Sequence, residues 1–251
     1  MLKRVINKTT EKATMTIDGK AFPIIIHREW RQSVRFSLGK KGAIIRMPTV
    51  LTKAQQQDQL EKLRVWVQQQ LSEKDSLKQR FFGKNYKTGD ILKVGERTYT
   101  LKIEYENKQR HSAKLKGREI QLSLSKKDSE LHLQKAIKHL LSRIIAKDFL
   151  PAITARVKEL NEQFFQKEIS NVKLKYNLTN WGSCSSKTNI NLSTRLLFAP
   201  QKVVDYVIIH ELAHLIEMNH SEQYWAIVKK AMPDFKTHEK WLRTNGHLCD
   251  F

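Results

Sequence analysis

The hydrophobic pattern along the chain predicts the same succession of elements twice, short strands followed by a helix. In the first stretch, residues 14–79, half-buried strands are expected near 24–26, 34–38 and 43–47, and helical spacing begins at Thr52 and runs to about Lys78. In the second stretch, residues 90–148, strands are expected at 91–94, 98–105, 111–116 and 119–124, and a helix at 128–148. Internal duplication is one interpretation and two unrelated segments are the other, with residues 81–89 as the linker.

The remainder of the chain is predicted to be mostly helical. A helix is expected from Pro151 to about Lys167, and the segments after it are predicted as a strand at 172–176, a small-residue turn at 181–186 and a half-buried strand at 189–198. Further helices are expected after Pro200, at 221–232 and from Asp234 to Gly246. At a sheet edge, the strand at 189–198 could pair with an extended peptide by strand addition.

The helix after Pro200 carries the strongest chemical signal, His-Glu-Leu-Ala-His at residues 210–214. Residues four apart share one helix face, so His210 and His214 can direct imidazole nitrogens at one zinc ion. With His220 as a third ligand, the fourth position stays open for water and substrate, as in catalytic zinc sites. Zinc lowers the pKa of its bound water to about 7, and Glu211 is placed to take that proton.

The third ligand depends on how the helix ends. His220 reaches the ion if the chain leaves the helix after Met218 and turns at Asn219, a residue that tolerates left-handed backbone. Glu217 is the alternative third ligand, or a partner of the ligands. The competing interpretation of the whole motif is a buried helix whose histidines only satisfy neighbours. Cys184 is either a resting-state zinc ligand or, more simply, a small buried thiol.

No transition-state stabiliser is identified by the pattern, and Asn180, Tyr224 and His238 are the candidates for that role. The motif is accompanied by a set of segments that together form a specific combination: Trp181-Gly182-Ser183-Cys184-Ser185, Asn189-Ile190-Asn191-Leu192, Phe198-Ala199-Pro200, Asn219-His220-Ser221 and Tyr224-Trp225.

This combination resembles the YgjP-like metallopeptidases, which are similar to the SprT-like and WLM zinc proteases. The N-terminal residues fit the same family through Arg31-Gln32-Ser33-Val34-Arg35, Gly42, Pro48 and Trp66. The resemblance implies a zincin-like fold in which His210, His214 and His220 bind one Zn²⁺ and Glu211 is the catalytic acid and base. Asn180 departs from the pattern, since the family usually has Arg there, and a substrate role of that Arg does not carry over.

Composition places the chain among ordinary globular proteins, with 251 residues, 40% hydrophobic and 28% charged. No apolar run approaches the length of a membrane-spanning helix, and the N-terminus lacks the apolar core of a signal peptide. Cys184 and Cys249 do not make a disulfide framework. We therefore expect a cytoplasmic protein without a membrane partner. The fold expected is α+β, with a basic β-rich domain at 1–125 and a zincin-like catalytic domain at 126–251.

Charge is concentrated in the first half. The net charge is +21, of which +15 lies in residues 1–125 and +6 in residues 126–251. An excess of this kind is typical of proteins that bind nucleic acid through its phosphates. The candidate contacts are Arg31, Arg35, Lys40 and Lys41, which with Arg28 and Arg46 flank Trp30 and Phe36 and could follow a single strand by charge and stacking. A solvated basic face is the alternative.

Three functions are compatible with these patterns. The first is a zinc-dependent metallopeptidase in which Glu211 activates the zinc-bound water, with DNA-associated proteins as one substrate class suggested by the SprT-like resemblance. The second is a metal-dependent hydrolase of nucleoside triphosphates, although the chain has no P-loop. The third is a non-catalytic nucleic-acid-binding protein with structural zinc, against which the intact Glu211 and the open coordination position argue.

Overall fold

Residues 8–39 and 41–251, the part that the computed structural model describes, form two units, Met1–Lys84 and Asn85–Phe251. The N-terminal unit consists of β1 (Thr9–Ile17), β2 (Lys20–Glu29), β3 (Arg35–Leu38), β4 (Ala43–Pro48), α1 (Lys53–Glu73) and α2 (Asp75–Phe82). Its four strands form one sheet in the order β1-β2-β4-β3. β1 and β3 pair antiparallel with their neighbours, whereas β2 and β4 pair parallel.

One face of the N-terminal sheet packs on α1. The alternation of the strands turns Phe22, Ile24 and Ile45 inward, and they form a closed core with Leu63 and Val67 of the helix. The helix begins at a capping box formed by two residues, because the Thr52 hydroxyl accepts from Gln55 N–H and the Gln55 side chain accepts from Thr52 N–H.

The C-terminal unit contains two sheets and four α-helices. Its elements are β5 (Ile91–Val94), β6 (Arg97–Glu106), β7 (Ser112–Lys116), β8 (Glu119–Ser125), α3 (Glu130–Phe164), β9 (Asn171–Lys175), β10 (Gly182–Cys184), β11 (Asn189–Ser193), a 3₁₀ turn (Thr194–Phe198), α4 (Gln201–Ala213), α5 (Glu222–Ala231), α6 (Phe235–Asn245) and a short 3₁₀ turn (Gly246–Leu248). The sheet orders are β5-β6-β8-β7 and β10-β11-β9.

The two four-stranded sheets share one topology and one register, at a constant interval along the chain. In the N-terminal sheet Ile24 pairs with Ala43, and in the second sheet Leu101 pairs with Ile120. Leu101 therefore follows Ile24 in the sequence by the same number of residues as Ile120 follows Ala43. The hairpins agree in the same way, and so do the third strands, where Arg35 pairs with Arg46 and Ser112 pairs with Ser123. The N-caps of the following helices, Thr52 and Ser129, are separated by that same interval. The predicted repetition of strands and helix is therefore confirmed.

The boundary between the units differs from the expected one at 125/126. The structure divides the chain between Lys84 and Asn85, inside the segment predicted as a linker. Strands β5–β8 belong with the C-terminal elements because their inward side chains, such as Leu101 and Ile120, share one continuous core with α3 and α4. Composition placed the boundary too late, since the basic charge extends past the point where the core changes.

Helix α3 runs through Pro151, where two separate helices were expected. A proline inside a helix removes one backbone hydrogen bond and disturbs the preceding turn. In that turn Arg97 donates to the carbonyl oxygen of Asp148 at 2.7 Å, so a side chain from β6 supplies a hydrogen bond there. No helix in the described part of the chain is both long enough and apolar enough to cross a membrane.

Two segments near the motif also differ from expectation. Residues 181–186, predicted as a turn, contain strand β10, and residues 189–198, predicted as one strand, divide into β11 and a 3₁₀ turn. Ser193 ends the strand because its hydroxyl accepts from Arg195 N–H and caps the 3₁₀ turn. β11 lies between β10 and β9, so it is a central strand and has no free edge for an added peptide.

Candidate metal centre

Helix α4 is held firmly within the C-terminal unit. Its side chains from Val203 to Ile209 are all buried, so the helix is covered on every side over that length. The buried carboxylate of Asp205 accepts two hydrogen bonds from Arg156 of α3, at 2.9 and 2.8 Å. A paired, two-pronged contact of this kind fixes both the position and the rotation of one helix against another. The last turn of α4 therefore presents its side chains in a defined direction.

That last turn brings together the three predicted ligands. The candidate ligand atoms of His210, His214 and His220 all lie within 4.8 Å of one another. The Nε2 atoms of His210 and His220 are 3.2 Å apart. Ligand atoms that bind one Zn²⁺ at about 2.0–2.1 Å must come this close together. The described residues thus contain a three-histidine cluster in which one ion can be bound.

The helix ends earlier than predicted. α4 stops at Ala213, and His214 is its C-cap with helical backbone angles, so its side chain keeps the direction of the last turn. The expected exit at Met218 is wrong, and Asn219 is not left-handed. Tight turns after His214 return the chain to His220 within six residues.

Glu217 contributes through its backbone. Its carbonyl oxygen lies 3.1 Å from Nδ1 of His214, and in the tautomer that donates there Nε2 is left free for a metal. The Glu217 carboxylate is outside the cluster, so of its two expected roles the geometry fits that of a hydrogen-bond partner.

Tyr224 of α5 packs against every histidine of the cluster. It is fully buried, its ring stacks on His214 at 4.6 Å between centroids, and it meets His220 at 4.7 Å and His210 at 5.3 Å. Its hydroxyl donates to the carbonyl oxygen of His210 at 2.9 Å. The hydroxyl is therefore occupied in positioning α4. This assigns Tyr224 a packing role rather than the transition-state contact considered from the sequence.

The protonation states of the cluster suit a metal. Burial, followed by the charges of His214 and His220, lowers the pKa of His210 to about 4. Burial also lowers the pKa of His214. Both rings are therefore neutral at pH 7, and a neutral imidazole has the lone pair that a metal needs. The donor set of three imidazoles is that of Zn²⁺ sites with one open position.

Glu211 lies in a tight space between α4 and β10. Its side chain is 4% exposed, and burial raises its pKa to about 8, an effect that the backbone N–H of Cys184 partly offsets by donating to it. A Cβ atom on Gly182 would stand 2.5 Å from Oε1 of Glu211. Position 182 must therefore be glycine if the carboxylate is to occupy this place.

The residues around Gly182 are also anchored from a distance. Arg195 is buried, and it donates to the carbonyl oxygens of Cys249, Gly246 and Leu178 while its guanidinium stacks on the ring of Trp181. These contacts fix the segment that leads into β10. Sequence reasoning did not identify Arg195 or Gly182, because their roles rest on contacts between segments far apart in the chain and no local period reports them.

The other residues that the sequence suggested as transition-state stabilisers or as a zinc ligand either lie outside the histidine cluster or make hydrogen bonds to other groups. His238 is buried and contacts Asp234 at 3.2 Å, and Asn180 donates to the carbonyl oxygen of Gly182 at 3.0 Å. The thiol of Cys184 lies outside the histidine cluster, and burial raises its pKa to about 11, so it is a protonated thiol at pH 7.

The candidate nucleic-acid residues belong to the N-terminal unit. Arg31 contacts Glu29 at 3.2 Å and is mostly covered. Arg35 and Lys41 are exposed, whereas Lys40 lies outside the described residues. Phe36 packs against Trp66 at 5.9 Å and so belongs to the core, and it does not form part of an exposed stacking surface.

Comparison with known proteins gives a family match and similar solved structures. A family described as YgjP-like, metallopeptidase domain, matches residues 32–245. Among solved structures, the metallopeptidase zymogen abylysin of Pyrococcus abyssi is similar at 23% identity over 37% of this chain and 92% of its own, with a TM-score of 0.35. The zymogen jannalysin of Methanocaldococcus jannaschii is similar at 20% identity over 37% and 94%, with a TM-score of 0.33.

Both scores are too low to establish a shared overall fold, and none of the curated proteins matches the chain. The family match covers most of the chain and includes β10, α4 and all three histidines of the cluster. The protein therefore belongs to the YgjP-like metallopeptidase family.

Proposed function

We propose that the protein is a zinc-dependent peptidase whose ligands are His210, His214 and His220. The observation that carries the proposal is the cluster of three imidazoles, with ligand atoms within 4.8 Å, beside a buried carboxylate on the same helix. Family membership supports the peptidase activity, and the imidazole donor set favours zinc over the harder ions, which prefer oxygen.

The ion would supply two kinds of chemistry, polarisation of the scissile carbonyl and a lower pKa for the attacking water. Glu211 accepts the proton of that water and passes it to the leaving amine. Its burial favours the protonated form, and the charge of a bound cation opposes that effect, so the two forms can interchange during a turnover. The Cys184 N–H holds the carboxylate in place.

A polypeptide substrate is favoured by the sheet next to the site. β10 is an outer strand, and in the described residues its only strand partner is β11. The edge of β10 that faces away from β11 carries the Gly182 carbonyl, which accepts from Asn180, and the Cys184 N–H, which donates to Glu211, so an extended peptide that pairs there would share or replace these contacts. β10 also contacts Glu211 through Gly182, so a peptide paired with this strand would run beside the carboxylate. Peptide pairing, which was expected at the strand 189–198, is therefore proposed for β10 instead.

The test compares substrates and variants under one set of conditions. Wild type, Glu211→Gln and His214→Ala are incubated with casein, with a DNA-bound protein and with nucleoside triphosphates, and bound metal is measured by mass spectrometry. We expect about one zinc per chain in wild type and in Glu211→Gln, and a large loss of zinc in His214→Ala. Casein cleavage should fall at least about 100-fold in both variants.

Two results would contradict the proposal. Turnover of nucleoside triphosphates but not of protein would assign the site to phosphoanhydride chemistry. Equal protein cleavage by wild type and Glu211→Gln would remove Glu211 from the reaction. Preference for the DNA-bound substrate over casein would add DNA-associated proteins as the substrate class.

A further inference from the structure

The N-terminal sheet has a second face, which points away from α1. Because side chains alternate along a strand, the neighbours of the inward residues form this face. We call it the outer face, and its central members are Lys12, Ile25, His27, Arg35, Ser37, Ile44 and Arg46. The helices of the N-terminal unit contribute their buried residues to the opposite, inward face. The outer face therefore carries basic and apolar groups that α1 and α2 do not cover.

Two arginines stand directly opposite one another on this face. Arg35 of β3 and Arg46 of β4 are cross-strand partners, and like charges at such positions destabilise a sheet. Glu29 neutralises Arg46 from 3.1 Å. The Arg35 side chain is exposed and makes no ion pair or hydrogen bond with any residue that the structure describes. The guanidinium of Arg35 is therefore available to an anion from outside the chain, whereas that of Arg46 already has a carboxylate partner.

The second sheet, which has the same strand pairing, shows that the fold does not require two arginines at these positions. At the equivalent positions of the second sheet, Arg35 and Arg46 correspond to Ser112 and Ser123. His27 corresponds to Glu104, which forms an ion pair with Lys102 at 2.8 Å. The second sheet thus keeps the same backbone pairing with serines in place of both arginines. Only in the first copy do two arginines meet on the outer face.

An exposed aromatic ring lies at the end of the same sheet. Trp30 follows β2 directly and is 77% exposed, and Val50, which follows β4, is 76% exposed. The two strands end side by side, since Thr49 N–H donates to the carbonyl oxygen of Glu29. Arg35 begins β3 at this same end, because it pairs with Arg46 near the end of β4. An exposed indole ring and an exposed guanidinium thus lie at the same end of the sheet.

Charge is also densest in this unit. Residues 1–84 contain 18 Lys+Arg and 7 Asp+Glu, a net charge of +11, whereas residues 85–251 carry +10 in about twice the length. Proteins that bind single-stranded nucleic acid combine basic side chains for the phosphates with aromatic rings on which bases stack. A duplex has no unstacked base to place on the indole, and the Asp and Glu side chains of an acidic peptide have no ring for it.

We propose that the outer face of the N-terminal sheet binds single-stranded nucleic acid at the end where β2 and β4 finish, with a phosphate at Arg35 and a base stacked on Trp30. The residues of this binding site belong to the N-terminal unit and the histidine cluster belongs to the C-terminal unit. The binding measurement therefore tests this proposal whether or not the protein is a peptidase. The task of the site would be to hold the protein on a nucleic acid, by contacts that do not select a sequence.

Fluorescence polarisation of a labelled oligothymidylate, titrated with the full-length protein at increasing KCl, tests the proposal. The variants are Trp30→Ala and Arg35→Glu. Lys114→Glu is the matched control, because it makes the same charge change at an exposed position of β7, the strand that corresponds to β3. Casein cleavage and the circular dichroism spectrum, both expected to equal those of wild type, show that each variant is folded.

Trp30→Ala and Arg35→Glu should each weaken binding about 10-fold, and Arg35→Glu should reduce the slope of log affinity against log salt by about 1. Lys114→Glu should weaken binding less than about 2-fold. The proposal is overturned if Lys114→Glu weakens binding as much as Arg35→Glu, because total charge alone would then explain it. It is also overturned if a duplex of equal length binds more tightly, or if polyglutamate competes as well as the oligonucleotide.

Discussion

The position of Glu211 is set by a residue with no side chain. Gly182 leaves room for the carboxylate, and the next-but-one residue of the strand, Cys184, donates its N–H to it. A general base must lie within hydrogen-bond reach of the proton that it takes, so a small displacement is costly. The glycine therefore positions Glu211, the proposed base, although it has no chemistry of its own.

Gly182→Ala should separate positioning from metal binding. The new Cβ would lie 2.5 Å from Oε1, so the carboxylate has to move. We expect kcat for casein or a peptide to fall about 100-fold, with zinc content unchanged because the histidines are untouched. Ser183→Ala is the control, since Ser183 contacts Asn191 and not Glu211. Loss of zinc in Gly182→Ala, or full activity, would contradict this assignment.

The lowered pKa of His210 predicts how the metal-free protein responds to acid. Its pKa is about 4 in the folded chain and 6.5 in the reference state, so the unfolded chain takes up the proton first as the pH falls. Stability is therefore lost between about pH 6.5 and pH 4, and the loss from pH 7 to pH 5 is about 2 kcal/mol. Urea unfolding after chelation measures it.

His210→Gln provides the comparison for that measurement, because a glutamine does not titrate. The variant should keep more of its pH 7 stability at pH 5 than the wild type does. An identical pH dependence in both proteins would show that other groups cause the acid sensitivity. Adding zinc to the wild type should raise stability at pH 7 and have less effect at pH 5, since protons compete with the metal for the rings.

At the scale of elements, the contact between α3 and α4 decides whether the ligands are presented correctly. Arg156→Ala would leave the buried carboxylate of Asp205 with Gln201 as its remaining side-chain donor. Removing one partner of such a pair should lower the free energy of unfolding by about 3 kcal/mol. Thermal unfolding measures this, with the exposed Lys158→Ala as control. Equal stability of the two variants would contradict the structural role.

Which elements could be predicted depends on how local their cause is. Alternation and helical spacing are local patterns, so β3 to β8 and the start of α1 were predicted closely, whereas β1 was not predicted and β2 only in part. The continuation of α3 through Pro151 could not be, because it depends on the core around the helix and on Arg97 from β6. β10 is three small residues with no alternation, and its partner strand alone makes it a strand.

The site follows the same rule. His210, His214 and His220 come together as the motif predicts, because an interval of four residues on a helix specifies a shared face. The helix end could not be placed by counting, since the turn propensity of Asn219 predicts an exit there and the chain turns instead directly after His214. The role of Arg195 could not be predicted from the sequence, because its hydrogen-bond acceptors are backbone carbonyls of residues far away in the chain.

At the scale of the whole molecule, the chain has two separate hydrophobic cores, one in each unit. Ile45 and Leu122 occupy corresponding positions of the two sheets and are both fully buried. Ile45→Ala and Leu122→Ala should each remove about 2–5 kcal/mol, but from different units. We expect calorimetry to show two transitions, each variant lowering a different one. A single transition shifted equally by both variants would show that the units unfold together.

The constant interval between corresponding positions means that matching segments of the two sheets contain equal numbers of residues, although the strands themselves differ in length, as β1 and β5 do. A segment of the first copy can therefore be exchanged for its counterpart in the second without adding or deleting a residue. Chimeras with one segment exchanged, β3 for β7 for example, would therefore transplant a surface while leaving α4 in its own surroundings. The molecule thus contains two versions of one scaffold, of which the second lies in the same unit as the histidine cluster and the first carries the paired arginines.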